Sequence, residues 1–263
     1  MERQYRANWP RIDEFWERAR AIKPDLRLTI SSVQALILFQ WYLYIERHGR
    51  TLYRLTGTMV RLGVELGLHH NPWKQPSVFT PDECRLRERL WCTILIHDRG
   101  TAVLLGRPIA IAPADTTSPE PRRERNRTLE FSDHFFHSHR IMTFQADILC
   151  ELYRPDNKSP DAFIRQCLRI LGNFQAMRKD ALVGYNPFFE GPEGDSLEEK
   201  TRVVETISMD AGLTLLKFWI AKLLALRVLF LNEQVGWPAR DLFLRDGESA
   251  TAHRCPSLLS GRI

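Results

Sequence analysis

The chain has 263 residues, 44% of them hydrophobic and 26% charged, with a formal net charge of +5. Those proportions exclude a disordered chain, which lacks the apolar surface to offset ordering entropy, and 14 Gly with 15 Pro exclude collagen-like or low-complexity sequence. The mild basicity admits an acidic partner without demanding nucleic acid.

Asn8-Trp9-Pro10 opens a short helix with Ile12, Phe15, Trp16, Ala19 and Ile22 at helical spacing, and Pro24 ends it. Ser31 or Ser32 begins the next. Its Val33, Leu36, Ile37, Phe39, Tyr42, Leu43 and Ile45 leave few polar faces, so burial on most sides is expected, with Gly49 as its C-terminal cap. A third helix, about Leu52–Leu66, aligns Leu55, Met59, Leu62 and Leu66 on one stripe. Gly57 and Gly63 inside it cost stability relative to Ala, so both are expected to permit close helix packing; Gly67 ends it.

Thr80-Pro81-Asp82-Glu83 is a capping box with Pro at the first helical position, and its carboxylates meet the positive end of the helix dipole. Leu86, Leu90, Ile94 and Leu95 carry the apolar stripe of that helix, and Gly106 and Pro108 close it. A long loop follows over about 107–130, with Pro113, Pro119 and Pro121. Helix resumes near Ser132 and runs to Tyr153. Ser159-Pro160-Asp161 starts another containing Phe163, Ile164, Cys167, Leu168, Leu171 and Phe174. A second loop spans 184–195, and a last long helix runs from about Glu198 to Asn232. Its apolar heart carries Lys217, Lys222 and Arg227. Charges at that spacing are costly in a bilayer, so this is read as a buried helix whose cationic stems snorkel.

No run alternates as a strand would, and no fixed-period repeat is found. The fold class is all-α: an irregular multi-helix bundle of about seven helices joined by two long loops. Residues 1–237 form the helical domain, read as truncated at its C-terminus, and 238–263 form a weakly structured tail.

The five cysteines at 84, 92, 150, 167 and 255 make a poor disulfide framework and fit buried thiols in a reducing compartment. Met1-Glu2-Arg3-Gln4-Tyr5 is too polar to open a secretory signal. Cys84 and Cys92 lie about 12 Å apart along one helix, too far to grip one zinc ion. His69 or His70, then His97-Asp98, then Asp115 or Asp133 follow the order used by HD-type metal phosphohydrolases, where metals activate a water and clamp a phosphate. The plainer reading pairs Asp98 with a nearby Arg and lets His97 pack or cap. Sequences for a nucleophile elbow, a phosphate loop or a dinucleotide turn are absent, so no catalytic and no metal-binding residue is assigned. Pro121–Arg127 holds four arginines, read as a solvated loop or a nuclear-import or phosphate-contacting patch. Trp41, Tyr42, Trp91 and Trp219 wall a pocket or, more ordinarily, fill core.

Several short runs recur in a defined order: Ser32-Val-Gln-Ala-Leu-Ile-Leu38, Gly49-Arg50, Leu55-x-Gly57-x-x-Val60-Arg-Leu-x-x-Glu65-Leu-Gly-Leu-His69, Glu83-x-x-x-Arg87-x-Arg89-Leu-Trp91, Asp98-Arg99 and Leu104-Leu-Gly-Arg-Pro108. In order and spacing, 31–108 resembles the middle homology region of fungal zinc-cluster transcription factors, most like the acetate and carbon-utilisation regulators. A weaker likeness continues to about Asn232. The resemblance implies an all-helical regulatory domain of a nuclear transcription factor, answering a small-molecule effector or a transcriptional co-regulator.

In that family a separate N-terminal module of six cysteines holds two zinc ions and reads DNA. This sequence lacks such a module, so no cofactor is expected in this chain, and DNA would be reached only through a missing module or a dimer partner. No membrane association is expected. The family-motif residues are Arg61, Glu65, His69, Arg87, Arg89, Trp91, Asp98, Arg99, Gly106, Arg107 and Pro108.

Their spacing suggests a polar lattice between helices. Arg61 with Glu65, and Glu83 with Arg87, are helical i,i+4 neighbours. Asp98 and Arg99 point to different faces, and Arg107 sits where its guanidinium reaches helix-end carbonyls. The competing readings are a decoy that dimerises with full-length relatives, an HD-type phosphohydrolase, and a product of an incomplete reading frame.

Overall fold

A computed structural model describes residues 27–46, 49–121, 132–153, 159–180 and 207–231, with isolated positions between them. Six α-helices lie among the described residues: α1 (Ile30–Ile45), α2 (Gly49–Glu65), α3 (Pro81–Leu105), α4 (Asp133–Leu152), α5 (Pro160–Asp180) and α6 (Met209–Leu231). Short 3-10 turns occupy Pro72–Lys74 and Pro113–Asp115, and no described residue is in a strand. The chain is therefore all-α. Most of the helix expected after Asn8, the arginine run after Pro121, most of the 184–195 loop and the tail from 238 lie outside the described residues. Internal packing divides the chain into two compact units, 1–149 and 150–263.

The first unit is built on α1, α2 and α3. Thr29 has extended backbone and its Oγ1 accepts from the Ser32 N–H at 3.1 Å, so α1 starts ahead of the serines at which it was expected to begin. It stops at Ile45, and Gly49 begins α2 instead of capping α1. The reason for glycine there is space: a Cβ on Gly49 would stand 3.0 Å from Leu105 Cδ2. Nor is α1 buried on most sides. Val33, Leu36, Gln40 and Leu43 face inward, while Leu38, Trp41, Tyr44 and Ile45 are exposed.

On α2 the buried stripe is Leu52, Thr56, Met59, Val60, Leu62 and Gly63, and the expected Leu55 and Leu66 are only partly buried. Gly63 permits a close approach: a Cβ there would meet Ile94 Cδ1 at 2.8 Å and the Trp91 ring at 3.3 Å. Gly57 does not, because its nearest neighbour is the flexible Arg61 guanidinium at 4.0 Å. Gly67, at φ +69°, turns the chain out of α2.

The capping box of α3 is complete. Thr80 Oγ1 accepts from the Glu83 N–H at 3.3 Å, and the Glu83 carboxylate accepts from the Thr80 N–H at 2.8 Å. These hydrogen bonds hold the Glu83 carboxyl below its ordinary range. Leu86, expected on the core stripe, is exposed; Cys84, Leu90, Trp91, Cys92, Ile94 and Leu95 are buried. Core side chains of the three helices close around Trp91, with Met59, Leu68, Ile94 and Ile111 in the same cluster. Within this unit α4 packs on the later part of α3: a Cβ on Gly100 would touch Met142 Cε at 3.9 Å.

In the second unit, α5 buries Phe163, Cys167, Ile170, Phe174 and Met177 at helical spacing. Phe174 meets Phe218 of α6 edge to face, with centroids 5.5 Å apart. The Tyr153 hydroxyl donates to the Leu224 carbonyl at 2.9 Å. The last helix is shorter than expected. Ile207 and Ser208 are not helical, and Ser208 caps α6 by accepting from the Ala211 and Gly212 N–H groups. It is also not wholly buried: Phe218, Ala221 and Ala225 face inward, whereas Leu213, Leu216, Ile220 and Leu223 are exposed. Burial lowers the Lys217 ammonium to about 8, and Lys222 lies 5.2 Å from its own helix's Trp219 ring. Among the described residues no helix is long and apolar enough to cross a membrane.

The two α2 glycines give a paired test. Gly63→Ala should destabilise the chain by about 1–3 kcal/mol through overpacking. Gly57→Ala should stabilise it by about 0.5–1 kcal/mol through helix propensity. Urea denaturation of both variants measures the contrast.

Candidate functional site

The residues singled out by sequence divide into a buried set and a surface set. Asp98 and Arg99 share the later part of α3 and are almost fully buried, on different faces. The Asp98 carboxylate accepts from the Ala110 N–H at 3.0 and 3.1 Å and from the Ile111 N–H at 3.1 Å. It thus captures the chain that leaves α3 and seats Ile111 in the core cluster. Burial pushes this carboxyl above its ordinary range, and the two amides and the Arg99 charge pull it part of the way back.

Arg99 reaches the other way and donates to Thr143 Oγ1 on α4 at 3.0 Å. Thr143 in turn donates to the His139 carbonyl at 3.0 Å. The His139 ring is buried, and neither of its nitrogens has a hydrogen-bond partner among the described residues. Burial, with the Arg99 charge adding to it, lowers this imidazole to about 4.

Trp91 sits at the centre of a second set of bonds. Its Nε1–H donates to Thr116 Oγ1 at 2.7 Å, and Thr116 donates to the His69 carbonyl at 3.3 Å. The same carbonyl accepts from the Thr117 and Ser118 amides at 2.9 and 3.0 Å. The His69 ring lies against His70, tilted by 41° with centroids 3.8 Å apart, and burial lowers its pKa. Arg87 donates to the Leu66 carbonyl at the end of α2 and lies 4.2 Å over the Phe79 ring. Arg107 had been expected in that carbonyl-reaching role. Its guanidinium instead lies 5.8 Å over Tyr53, and its backbone N–H bonds the Ala102 carbonyl at 2.9 Å. Gly106, at φ +61°, makes that turn possible. Arg61, Glu65, Arg89 and Pro108 are exposed.

The residues considered for a phosphohydrolase metal are not gathered. The Asp98 carboxylate is turned to backbone amides, and His97 packs edge-on against Trp41 at 5.2 Å. Among the described residues no group of three or more His, Cys, Asp or Glu is placed to hold a metal ion. Nor do Trp41 and Trp91 wall a common pocket, since Trp91 is core and Trp41 is half exposed. Cys92 is buried with its Sγ 4.0 Å from the Pro119 carbonyl, and burial raises its thiol pKa far above the ordinary range.

Sequence reasoning missed one constellation. Gln40, Thr56 and Thr101, one each from α1, α2 and α3, are buried together. The Gln40 amide donates to Thr56 Oγ1 and, at 3.1 Å, to Thr101 Oγ1. The signal was present: Gln40 falls on the Val33-Leu36-Leu43 stripe, where an apolar residue is the norm.

Removing the Asp98 carboxylate strands two amides. Asp98→Ala should therefore lower unfolding free energy by about 3 kcal/mol in denaturant titrations. The His139 shift carries a sign. The folded chain keeps this ring neutral to about pH 4, whereas an unfolded histidine protonates near 6.5, so its contribution is lost as pH falls from 6.5 to 4. Asp98, raised by burial, works in the opposite direction at acid pH. The comparison with His139→Gln isolates the histidine. That variant should flatten the pH dependence of stability in this window by on the order of 3 kcal/mol.

Comparison with known proteins places this arrangement in a family. Residues 10–175 match the fungal specific transcription factor domain. Over 110 residues, 41% of this chain, the sequence is 30% identical to an uncharacterized transcriptional regulatory protein of Schizosaccharomyces pombe, of which the match covers 14%. It is 27% identical over 153 residues, 53% of this chain, to a second uncharacterized transcriptional regulatory protein of the same yeast, of which the match covers 17%. The matched stretches thus span less than a fifth of either relative. No solved structure matches significantly. The family match runs through α1 to α4 and most of α5, taking in every residue of the Trp91 and Asp98–Arg99 networks, and the chain belongs to the fungal specific transcription factor domain family.

Proposed function

We propose that this chain is a regulatory domain acting in the nucleus on RNA polymerase II transcription by binding a partner or effector, with no catalytic activity and no cofactor of its own. The observation that carries this reading is the family match over 10–175, supported by relatives named as transcriptional regulatory proteins. Contact with DNA then falls to another module or to a dimer partner. The polar network supports a scaffold role for the motif residues. Asp98, Arg99, Trp91 and Arg87 are all engaged in joining helices and loops of one unit. Binding is thereby left to the surface, where α1 offers Leu38, Trp41, Tyr44 and Ile45.

The test is a tethered-reporter assay. The full chain, fused to an unrelated DNA-binding domain upstream of a reporter gene, should change transcription severalfold against that domain alone. Leu38→Glu combined with Ile45→Glu should abolish the change while leaving the melting temperature unaltered. Unchanged reporter output from a folded, nuclear fusion would overturn the proposal.

A further inference from the structure

We propose that the exposed face of α6 pairs with the same face of a second copy of this chain, the two helices running antiparallel. This does not depend on the transcriptional reading. The face consists of Met209, Leu213, Leu216, Ile220 and Leu223, exposed by 38 to 82%. Their spacing is 4, 3, 4, 3, the 3.5-residue period of a coiled-coil seam, and exposed Trp219 and Phe230 flank it on one side. The opposite side of α6 already buries Thr214, Phe218, Ala221 and Ala225 within its own unit, so the seam is surplus to that unit's packing. An apolar stripe of this kind on a helix surface marks an association site.

Charge decides the occupant and its direction. Arg227 is the next residue in the 3.5 period and is exposed. Parallel pairing of two copies would set Arg227 against Arg227 at the C-terminal end of the seam, a like-charge contact. Antiparallel pairing about a midpoint at Phe218 sets Leu216 against Ile220 and Leu213 against Leu223. It also brings Arg227 to Met209, beside Asp210, the sole acid of α6. The cationic end of the seam thus meets the acidic end of its partner when the second helix is reversed. The interface is isologous, so it closes as a two-fold dimer and does not propagate. One helix seam is smaller than the ~800 Å² per partner of a standard interface, so the expected dissociation constant is on the order of micromolar.

Sedimentation of the full chain across about 1–100 μM, a range bracketing that affinity, should show a reversible monomer–dimer equilibrium. Leu216→Lys, at an exposed position, should weaken it at least tenfold with helicity and melting temperature unchanged. Oxidative cross-linking fixes the direction. A mixture of Leu213→Cys and Leu223→Cys chains should form a disulfide-linked dimer, and either variant alone should not exceed the background of the wild-type thiols. Three results would overturn the proposal. One is a monomer throughout the range. Another is a dimer indifferent to Leu216→Lys, which assigns pairing to another face such as that of α1. The third is efficient cross-linking of Leu213→Cys with itself, which assigns a parallel pair.

Discussion

Asp98 holds two backbone amides of the segment that follows α3, and much of the first unit hangs from that grip. With Ala110 and Ile111 fixed, Ile111 enters the core, and the chain beyond is led back toward Trp91 and the end of α2. There Thr116 accepts the indole N–H and donates to the His69 carbonyl, while Thr117 and Ser118 crowd the same oxygen. One carboxylate therefore organises a stretch that has almost no regular structure of its own. A buried carboxylate is costly when it is alone. Here the amides and the neighbouring guanidinium offset the cost, so neither group of the Asp98–Arg99 pair is freely exchangeable for an apolar one.

Arg99 extends that order to α4, and Gln40 with Thr56 and Thr101 ties α1, α2 and α3 by a separate set of bonds. Both sets lie within or beside an otherwise apolar core. Polar contacts in such a place add less to stability than they add to uniqueness, because each is satisfied in one helix arrangement and broken in the alternatives. The aromatic and aliphatic packing around Trp91 supplies the driving force, and the polar bonds select the register.

Helix existence was legible in the sequence because the signals are local. The Thr80–Glu83 capping box, the prolines at helix starts and the glycines at positive φ act within one turn. Burial was harder to read. An apolar helix such as α1 or α6 carries apolar residues on both its sides, so spacing alone does not choose the inward face, and Leu38, Leu216 and Leu223 could not be told from core. The same ambiguity joined α6 to the residues before it, since Ile207-Ser208 breaks a helix that composition alone would continue. At the site, the pairing of Asp98 with loop amides depends on where the chain returns after α3, and the reach of Arg87, in place of Arg107, to a helix-end carbonyl depends on how α2 packs against α3. Both are long-range facts no local spacing encodes.

The raised pKa of Cys92 gives the first unit a chemical clock. A thiol held protonated in the core cannot attack an alkylating reagent or an oxidant, because only the thiolate reacts. It becomes reactive when α3 separates from its surroundings and water enters. The rate at which this sulfur is alkylated under native conditions therefore reports how often the core opens, with no residue introduced for the purpose.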